Sequence, residues 1–310
     1  MRQRAIRLGS AIAALAASQA AAAQDGRAGV TAQPIRFDVA APLSPSSGTS
    51  TVSPSSVPQA MERMRADDTT ADLSLGTIYA QGKFGTGSTT SIWSSALGAR
   101  LRVGDWTLSA SLPWMRIRSR STIFTGIDST PILVAPDTAP VRRTNQGFGD
   151  LTLGASYTII SDSTPLEVQL SGRAKINTAT ASSRLSSGEN DYAAGVDVSY
   201  PIGKVTPFAA FSYRFLGDTA LYRLRDGPAA SAGASYALDS NSFLLASYHY
   251  SRAATRLVDD AHELFAGAST RLRGTPLRAT GFATVGLSRG AAAASAGLSL
   301  SLDLRRRDAR

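Results

Sequence analysis

The sequence predicts an all-β fold: a twelve-stranded antiparallel up-and-down transmembrane barrel with both termini periplasmic. Three observations carry this prediction. Between residues 73 and 304, stretches of about ten residues alternate apolar and polar side chains, which is the period of a β-strand. The connections between these stretches are alternately short and long. No run of apolar residues is long enough for a membrane-spanning helix.

The first element in the chain is a secretory signal peptide over residues 1–23. Arg2, Arg4 and Arg7 make its positive end, an alanine-rich apolar centre follows, and small residues precede Gln24. This order is typical of a cleaved export signal. A membrane anchor is the weaker interpretation, because the apolar centre is too short to cross a bilayer core of ~30 Å.

Residues 24–71 form a second segment, rich in proline and serine and without periodicity. Such a composition cannot bury enough apolar surface to fold alone. It is therefore either a flexible periplasmic lead or a plug that enters the barrel, and both alternatives stay open. The barrel itself is predicted over residues 72–304, and residues 305–310 form a basic periplasmic tail.

The barrel strands come next, and each has roughly the 9–11 residues that a tilted strand needs to cross a bilayer. A soluble barrel would have its apolar face inside, whereas in a membrane barrel lipid takes that face and a watery lumen takes the other. The twelve predicted strands are Leu73–Phe84, Ile92–Val103, Trp106–Arg118, Gly149–Ile160, Leu166–Asn177, Asp191–Ile202, Thr206–Phe215, Ala229–Leu238, Ser242–Ser251, His262–Leu272, Leu277–Leu287 and Ala293–Leu304.

The connections predict the orientation of the strands. Short turns of membrane barrels lie on the periplasmic side and long loops lie outside the cell. Both termini are then periplasmic. The tight turns are Gly104-Asp105, Ser161–Pro165, Gly203-Lys204, Asp239–Asn241 and Arg273–Pro276, and the longest loops are Ser119–Gln146, Thr178–Asn190, Leu216–Pro228 and Arg252–Ala261.

Parity within each strand predicts which side chains face the lumen. On the fifth strand Leu166, Val168 and Leu170 alternate with polar residues. A charged side chain facing lipid near mid-depth costs roughly 2–4 kcal/mol, so the polar set should face inward. The charges then either line an ion-selective constriction or close the barrel as a salt-bridge network. The predicted lumen-lining residues are Arg100, Arg102, Arg173, Lys175, Arg214, Arg271, Arg278, Glu167, Asp197 and Glu263.

The third strand predicts contacts with lipid. Trp106 and Trp114 share its outward face, as expected for the two aromatic girdles of a membrane barrel. Beyond Trp114, a stripe of arginine side chains continues along that face, and guanidinium groups there would suit lipopolysaccharide phosphates. The alternatives are ordinary solvated charge and a bulge at Pro113 that reverses the parity. The stripe consists of Arg116, Arg118 and Arg120.

Composition excludes several kinds of chemistry. The chain has no cysteine and two histidines, so we expect no disulfide, no metal site and no cofactor. Its formal charge of +9 would suit nucleic acid, but the export signal argues against that partner. Outer-membrane lipids, lipopolysaccharide above all, are the expected anionic partners.

The stretch Gly147-Phe148-Gly149-Asp150 resembles the strand opening of a family of proteobacterial outer-membrane barrels, loosely labelled MetA-pathway of phenol degradation. The end of the chain is similar to that family as well, at Ala246–Ser251, Asp259–Leu264, Gly286–Ser288 and Gly297–Leu300. The resemblance implies a barrel that moves small molecules, hydrophobic ones included, and it brings no catalytic residue. The last predicted strand of this chain also resembles the signal that the barrel-assembly machinery reads. That machinery is therefore an expected partner.

A second resemblance suggests an enzyme. His249, Ser251 and a later Glu263 are spaced similarly to outer-membrane lipid A deacylases. That likeness implies Ser251 as nucleophile, His249 as base and Glu263 as the group that orients the histidine. Parity places His249 and Ser251 inside the barrel, however, whereas a lipid substrate approaches from outside. The favoured interpretation is therefore a non-enzymatic passive channel or transporter for small solutes, hydrophobic or weakly anionic, with an acyl hydrolase as the alternative.

Overall fold

A computed structural model describes residues 69–127, 131–135, 141–161, 163–180, 183–218 and 223–304. The predicted signal peptide, the lead as far as residue 68 and the basic tail lie outside these residues. Within them, no helix is long and apolar enough to cross a membrane.

The described residues form fifteen β-strands. They are β1 (Thr69–Gly82), β2 (Thr90–Val103), β3 (Trp106–Ser119), β4 (Thr122–Thr125), β5 (Pro131–Ala135), β6 (Arg143–Phe148), β7 (Leu151–Ile160), β8 (Glu167–Ile176), β9 (Asp191–Ser199), β10 (Val205–Phe215), β11 (Gly227–Ala237), β12 (Ser242–Ser251), β13 (Ala261–Arg271), β14 (Leu277–Gly286) and β15 (Ala294–Asp303).

The strands close into one ring. Neighbouring strands of the barrel pair antiparallel, and β1 pairs with both β2 and β15. β6 and β7 both pair with β3 and act as a single interrupted strand. The ring therefore has twelve strands and is closed, as predicted, while β4 and β5 form a separate hairpin. Closure satisfies the backbone hydrogen bonds that a hydrocarbon environment cannot.

Two strand boundaries differ from the prediction by four residues or more. β1 begins at Thr69, because Thr69–Ala71 continue the ladder opposite Leu101–Val103. The last three residues of the predicted lead thus belong to the barrel. The fourth barrel strand begins at Arg143, six residues before its predicted start at Gly149.

The two ends of the barrel differ in their connections. We call them the turn end and the loop end. Gly104, Gly203 and Gly274 have positive φ angles of 57°, 60° and 74° in the tight turns of the turn end, a conformation that glycine adopts without steric cost. Thr69 and Leu304, the first and last residues described in the barrel, lie at that end too. The loop end carries the connections 83–89, 120–142, 177–190, 216–226, 252–260 and 287–293.

The two faces of the wall follow the predicted parity. Outward positions hold large exposed apolar side chains such as Leu75, Leu97 and Leu298, which are 59–66% exposed. Trp106 and Trp114 both point outward, and Trp106 lies against Tyr157 with 5.1 Å between ring centroids. An apolar outer belt bounded by aromatic side chains is the surface that a bilayer solvates.

Candidate functional site: the barrel lumen

The register places all ten predicted lumen residues at inward positions. They fall into groups rather than one ring of charge. Arg100, Arg102, Glu167, Arg271 and Arg278 lie near the turn end, where Asp72 and Asp303 also point inward. One ion pair there joins Arg271 Nη2 and Asp303 Oδ2 at 3.7 Å. The effect of these residues on ion flow stays a prediction.

At the loop end a buried ammonium sits between two carboxylates. Lys175 Nζ lies 3.0 Å from Asp150 Oδ2 and 3.2 Å from Asp191 Oδ2, and all three side chains are at most 2% exposed. The ammonium also donates to Ser187 Oγ at 3.1 Å and to the carbonyl of Thr125 at 3.5 Å. Buried charges survive only when they are paired and hydrogen-bonded, and this lysine is both. We call Asp150, Lys175 and Asp191 the charge cluster.

A β-bulge aims Asp150 into the lumen. Trp114 pairs with Phe148 and Ser111 with Thr152, so four residue steps on one strand face three on the other. The extra residue falls at Gly149-Asp150, where the Gly149 N–H donates to the carbonyl of Pro113 at 2.8 Å. Bulges commonly re-aim a side chain in this way. β3 itself keeps an unbroken register with β2 across Pro113, so the bulge considered there is absent.

The charge cluster fastens several loop segments to the wall. Asp150 accepts hydrogen bonds from the N–H groups of Thr178 and Ala179 at 3.1 and 3.0 Å and from the hydroxyl of Ser186. Asp191 accepts one from the N–H of Gly217 at 3.0 Å. The three charged side chains are therefore hydrogen-bonded to loop residues Thr125, Thr178, Ala179, Ser186, Ser187 and Gly217.

The hairpin β4–β5 fills part of the loop end. Ile123 and Leu133 pack into an apolar cluster with inward side chains of β1, β2 and β3. Ile132 and Val134, from the same hairpin, pack instead with Leu224. Both faces of the hairpin are thus buried, and Thr255 fixes it further by donating to the carbonyl of Leu133 at 2.9 Å. The first cluster comprises Ala80, Phe84, Ile92, Met115, Ile117, Ile123, Leu133, Leu185 and Ala292.

This hairpin corrects the interpretation of Ser119–Gln146 as a simple external loop. Its residues Thr-Ile-Phe-Thr and Pro-Ile-Leu-Val have consecutive apolar side chains, so they need cover on two faces. A cavity of about 20 Å³ remains between the hairpin and residues 252–259, which is room for about one water molecule.

The loop over residues 252–260 is anchored by Asp260. Its carboxylate accepts the Ala253 N–H at 2.9 Å and the Tyr250 hydroxyl at 2.7 Å. Partial burial works to raise the pKa of Asp260, but these hydrogen bonds together with the charges of Arg225 and Arg252 outweigh it, and the pKa is lowered. The loop that packs on the hairpin is therefore held by a carboxylate that stays ionised.

One wall of the lumen carries an aromatic patch, which parity alone did not predict. The rings of Phe265 and Phe282 stack with centroids 5.4 Å apart at 17°, and His249 meets Phe265 edge-on at 5.9 Å. Phe282 lies over Gly297, where an added Cβ would come within 2.4 Å of its ring. Further inward apolar side chains on the same side are Phe208, Phe243 and Leu245.

The opposite wall is lined by small hydroxyl side chains and charge. β3, β7 and β8 present inward Ser111, Ser156 and Ser171, with Arg173 and Asp197 close to them in the register. These side chains are half-exposed, unlike most of the aromatic wall. We call the lumen two-sided because this aromatic patch, which is itself flanked by inward Ser247, Ser269 and Thr284, lies across from a wall without aromatic rings.

The residues of the hydrolase alternative share the inward face but do not form the implied triad. His249 Nε2 lies 2.7 Å from Ser247 Oγ, and not against Ser251. Among the described residues, neither Ser251 Oγ nor His249 Nδ1 has a hydrogen-bond partner. Glu263 is directly across the ladder from His249 without orienting it through Nδ1. The implied nucleophile thus makes no hydrogen bond with the implied base.

The closed ring, the apolar outer belt and the two-sided lumen define a class: the outer-membrane type of β-barrel. No protein-family model and no curated protein matches this sequence. Among solved structures, the chain is similar to the COG4313 outer membrane channel from Pseudomonas putida F1, with 11% identity and a TM-score of 0.58 over 78% of this chain and 98% of that one. The KdgM porin matches at 9% identity and a TM-score of 0.46, over 74% and 98%. The first likeness shows a shared fold.

Proposed function

We propose that the protein is a passive channel or transporter of the outer membrane, oriented with its turn end and both termini in the periplasm. It would admit small solutes that carry an apolar face. The observation that carries the proposal is the two-sided lumen inside a wall whose exterior suits lipid. The fold shared with an outer-membrane channel supports it.

The two walls favour a particular class of solute. A flat apolar body packs well against Phe265 and Phe282, since offset aromatic rings attract each other beyond the area they bury. A hydroxyl or a weakly anionic group on the same solute finds Ser171 and Arg173 across the lumen. Hydrophobic or weakly anionic solutes are thus the substrates we propose.

Planar-bilayer recording with the folded, purified barrel tests the channel. Discrete conductance steps are expected. A barrel that is folded on unboiled gels yet gives no steps would contradict the proposal.

The same recording tests the solute class, with benzoate and acetate as probes of equal charge. Benzoate should block the current more strongly than acetate, and Phe265→Ala should remove most of that difference. Phe211→Ala is the matched control, because Phe211 is on the outer face and 50% exposed. Equal block by the two anions would leave a channel without the proposed aromatic preference.

A further inference from the structure

The outer face of the barrel is almost devoid of charge. At outward positions of the twelve barrel strands, all of which the structure describes, the Asp, Glu, Lys and Arg residues number two. They are Arg116 and Arg118, and both are exposed. Arg120, the third member of the predicted stripe, follows the end of β3 and is half-buried in the connection.

Both arginines lie near the loop end of the wall. They occupy the loop end of β3, and Arg116 is directly across the ladder from Trp93, which is 49% exposed. Trp114 precedes them on the same face and pairs with the exposed Phe148. Aromatic side chains mark the boundary of the hydrocarbon. The guanidinium groups are therefore placed at the level of lipid headgroups, where a charge escapes the mid-depth penalty.

Their surroundings suit an anion. The two Cα atoms are about 6.6 Å apart, as for any second neighbours on a strand. Across the ladder, the outward side chains of β6 are the neutral Thr144 and Gln146. Arg142 and Arg143 are exposed where β6 begins, beside the end of β3. No carboxylate at the outward positions of the twelve described strands competes for these cations.

We propose that Arg116 and Arg118 form a binding site for the phosphate groups of lipid A in the outer leaflet. Guanidinium groups bind phosphate through two parallel hydrogen bonds, which gives a fixed site more affinity than a diffuse positive surface. The acyl chains of the same lipid would lie along the aromatic and aliphatic side chains below. The site is separate from the lumen and rests only on the membrane orientation proposed above.

Native mass spectrometry of the detergent-purified barrel tests this site with diphosphoryl lipid A as the probe. We expect Arg116→Gln with Arg118→Gln to weaken lipid A binding by about tenfold or more, as when a charge-assisted hydrogen bond to phosphate is removed. The matched control is Arg256→Gln with Arg289→Gln, two exposed loop arginines at the same end. The control should bind as the unaltered protein does.

Further arms of the experiment separate lipid A from other anions. Dephosphorylated lipid A and phosphatidylglycerol should bind more weakly than diphosphoryl lipid A, and inorganic phosphate at equal concentration should not displace it. Each variant is checked as a folded barrel on unboiled gels. If the double variant fails this check, Arg118→Gln alone takes its place, with an expected reduction in affinity of about threefold. Unchanged lipid A binding in the folded variant, or equal binding of phosphatidylglycerol, would overturn the proposal, and neither result bears on conductance.

Discussion

Single residues hold the loop end together, and Lys175 is the clearest case. Its ammonium forms ion pairs with two buried carboxylates that in turn bind several loop segments. Parity was sufficient to predict an inward Lys175. It was not sufficient to predict that Lys175 meets Asp150 and Asp191, because which inward side chains come together depends on the register between strands.

Lys175→Met is expected to destabilise the barrel by about 3–5 kcal/mol, because it leaves Asp150 and Asp191 buried without a counter-charge. Urea unfolding in detergent micelles measures the change. Adding Asp150→Asn and Asp191→Asn to the same chain should recover part of the stability. Lys204→Met, at an exposed turn lysine, is the control. If Lys175→Met is as stable as this control, the charge cluster does not contribute to the stability of the barrel.

Gly297 is a second residue with a structural role, because the ring of Phe282 leaves no space for a side chain at this position. An added Cβ would lie 2.4 Å from Phe282 Cζ and 2.8 Å from the carbonyl oxygen of Thr77. Gly297→Ala should therefore cost about 1–3 kcal/mol through overpacking. Gly172→Ala is the matched control, since no atom lies within 4 Å of its added Cβ. Equal unfolding midpoints for the two variants would refute the close packing of Phe282 on the wall.

At the scale of elements, the hairpin β4–β5 fills part of the loop end. It packs on the wall through one face and on loop residues through the other. Its apolar runs were visible in the sequence, yet they lay inside a long connection whose direction no periodicity specifies. Only tertiary packing distinguishes a hairpin folded inward from one that projects outward.

A disulfide tests whether this hairpin moves during conduction. The chain has no cysteine, and Thr125 and Ser186 are partners in a β-bridge, a separation that a disulfide usually spans. In Thr125→Cys with Ser186→Cys, oxidation should lower the open-channel conductance, and reductant should restore it. Each single-cysteine variant is the control for the removal of its own side chain. If oxidised and reduced forms conduct alike, the hairpin is a fixed constriction and not a gate.

For the whole molecule, a twofold period and the order of loop lengths were enough to predict the ring of twelve strands. This success has a physical reason, because lipid imposes the same rule on the outer face of every strand. The interior is under no such rule. Large aromatic side chains such as Phe265 and Phe282 can therefore occupy inward positions while the outward positions stay apolar. Gly297 leaves the space that the ring of Phe282 needs. The outside of the barrel could be predicted, and the two-sided lumen could not.

Accessibility of single cysteines along β8 tests the central claim most directly. Leu170→Cys and Gly172→Cys face outward, whereas Ser171→Cys and Arg173→Cys face inward. In liposomes, a membrane-impermeant maleimide should label positions 171 and 173 and leave 170 and 172 protected. All four should react once the barrel is unfolded in urea, which controls for intrinsic reactivity. Labelling at 170 and 172 with protection at 171 and 173 would contradict the account.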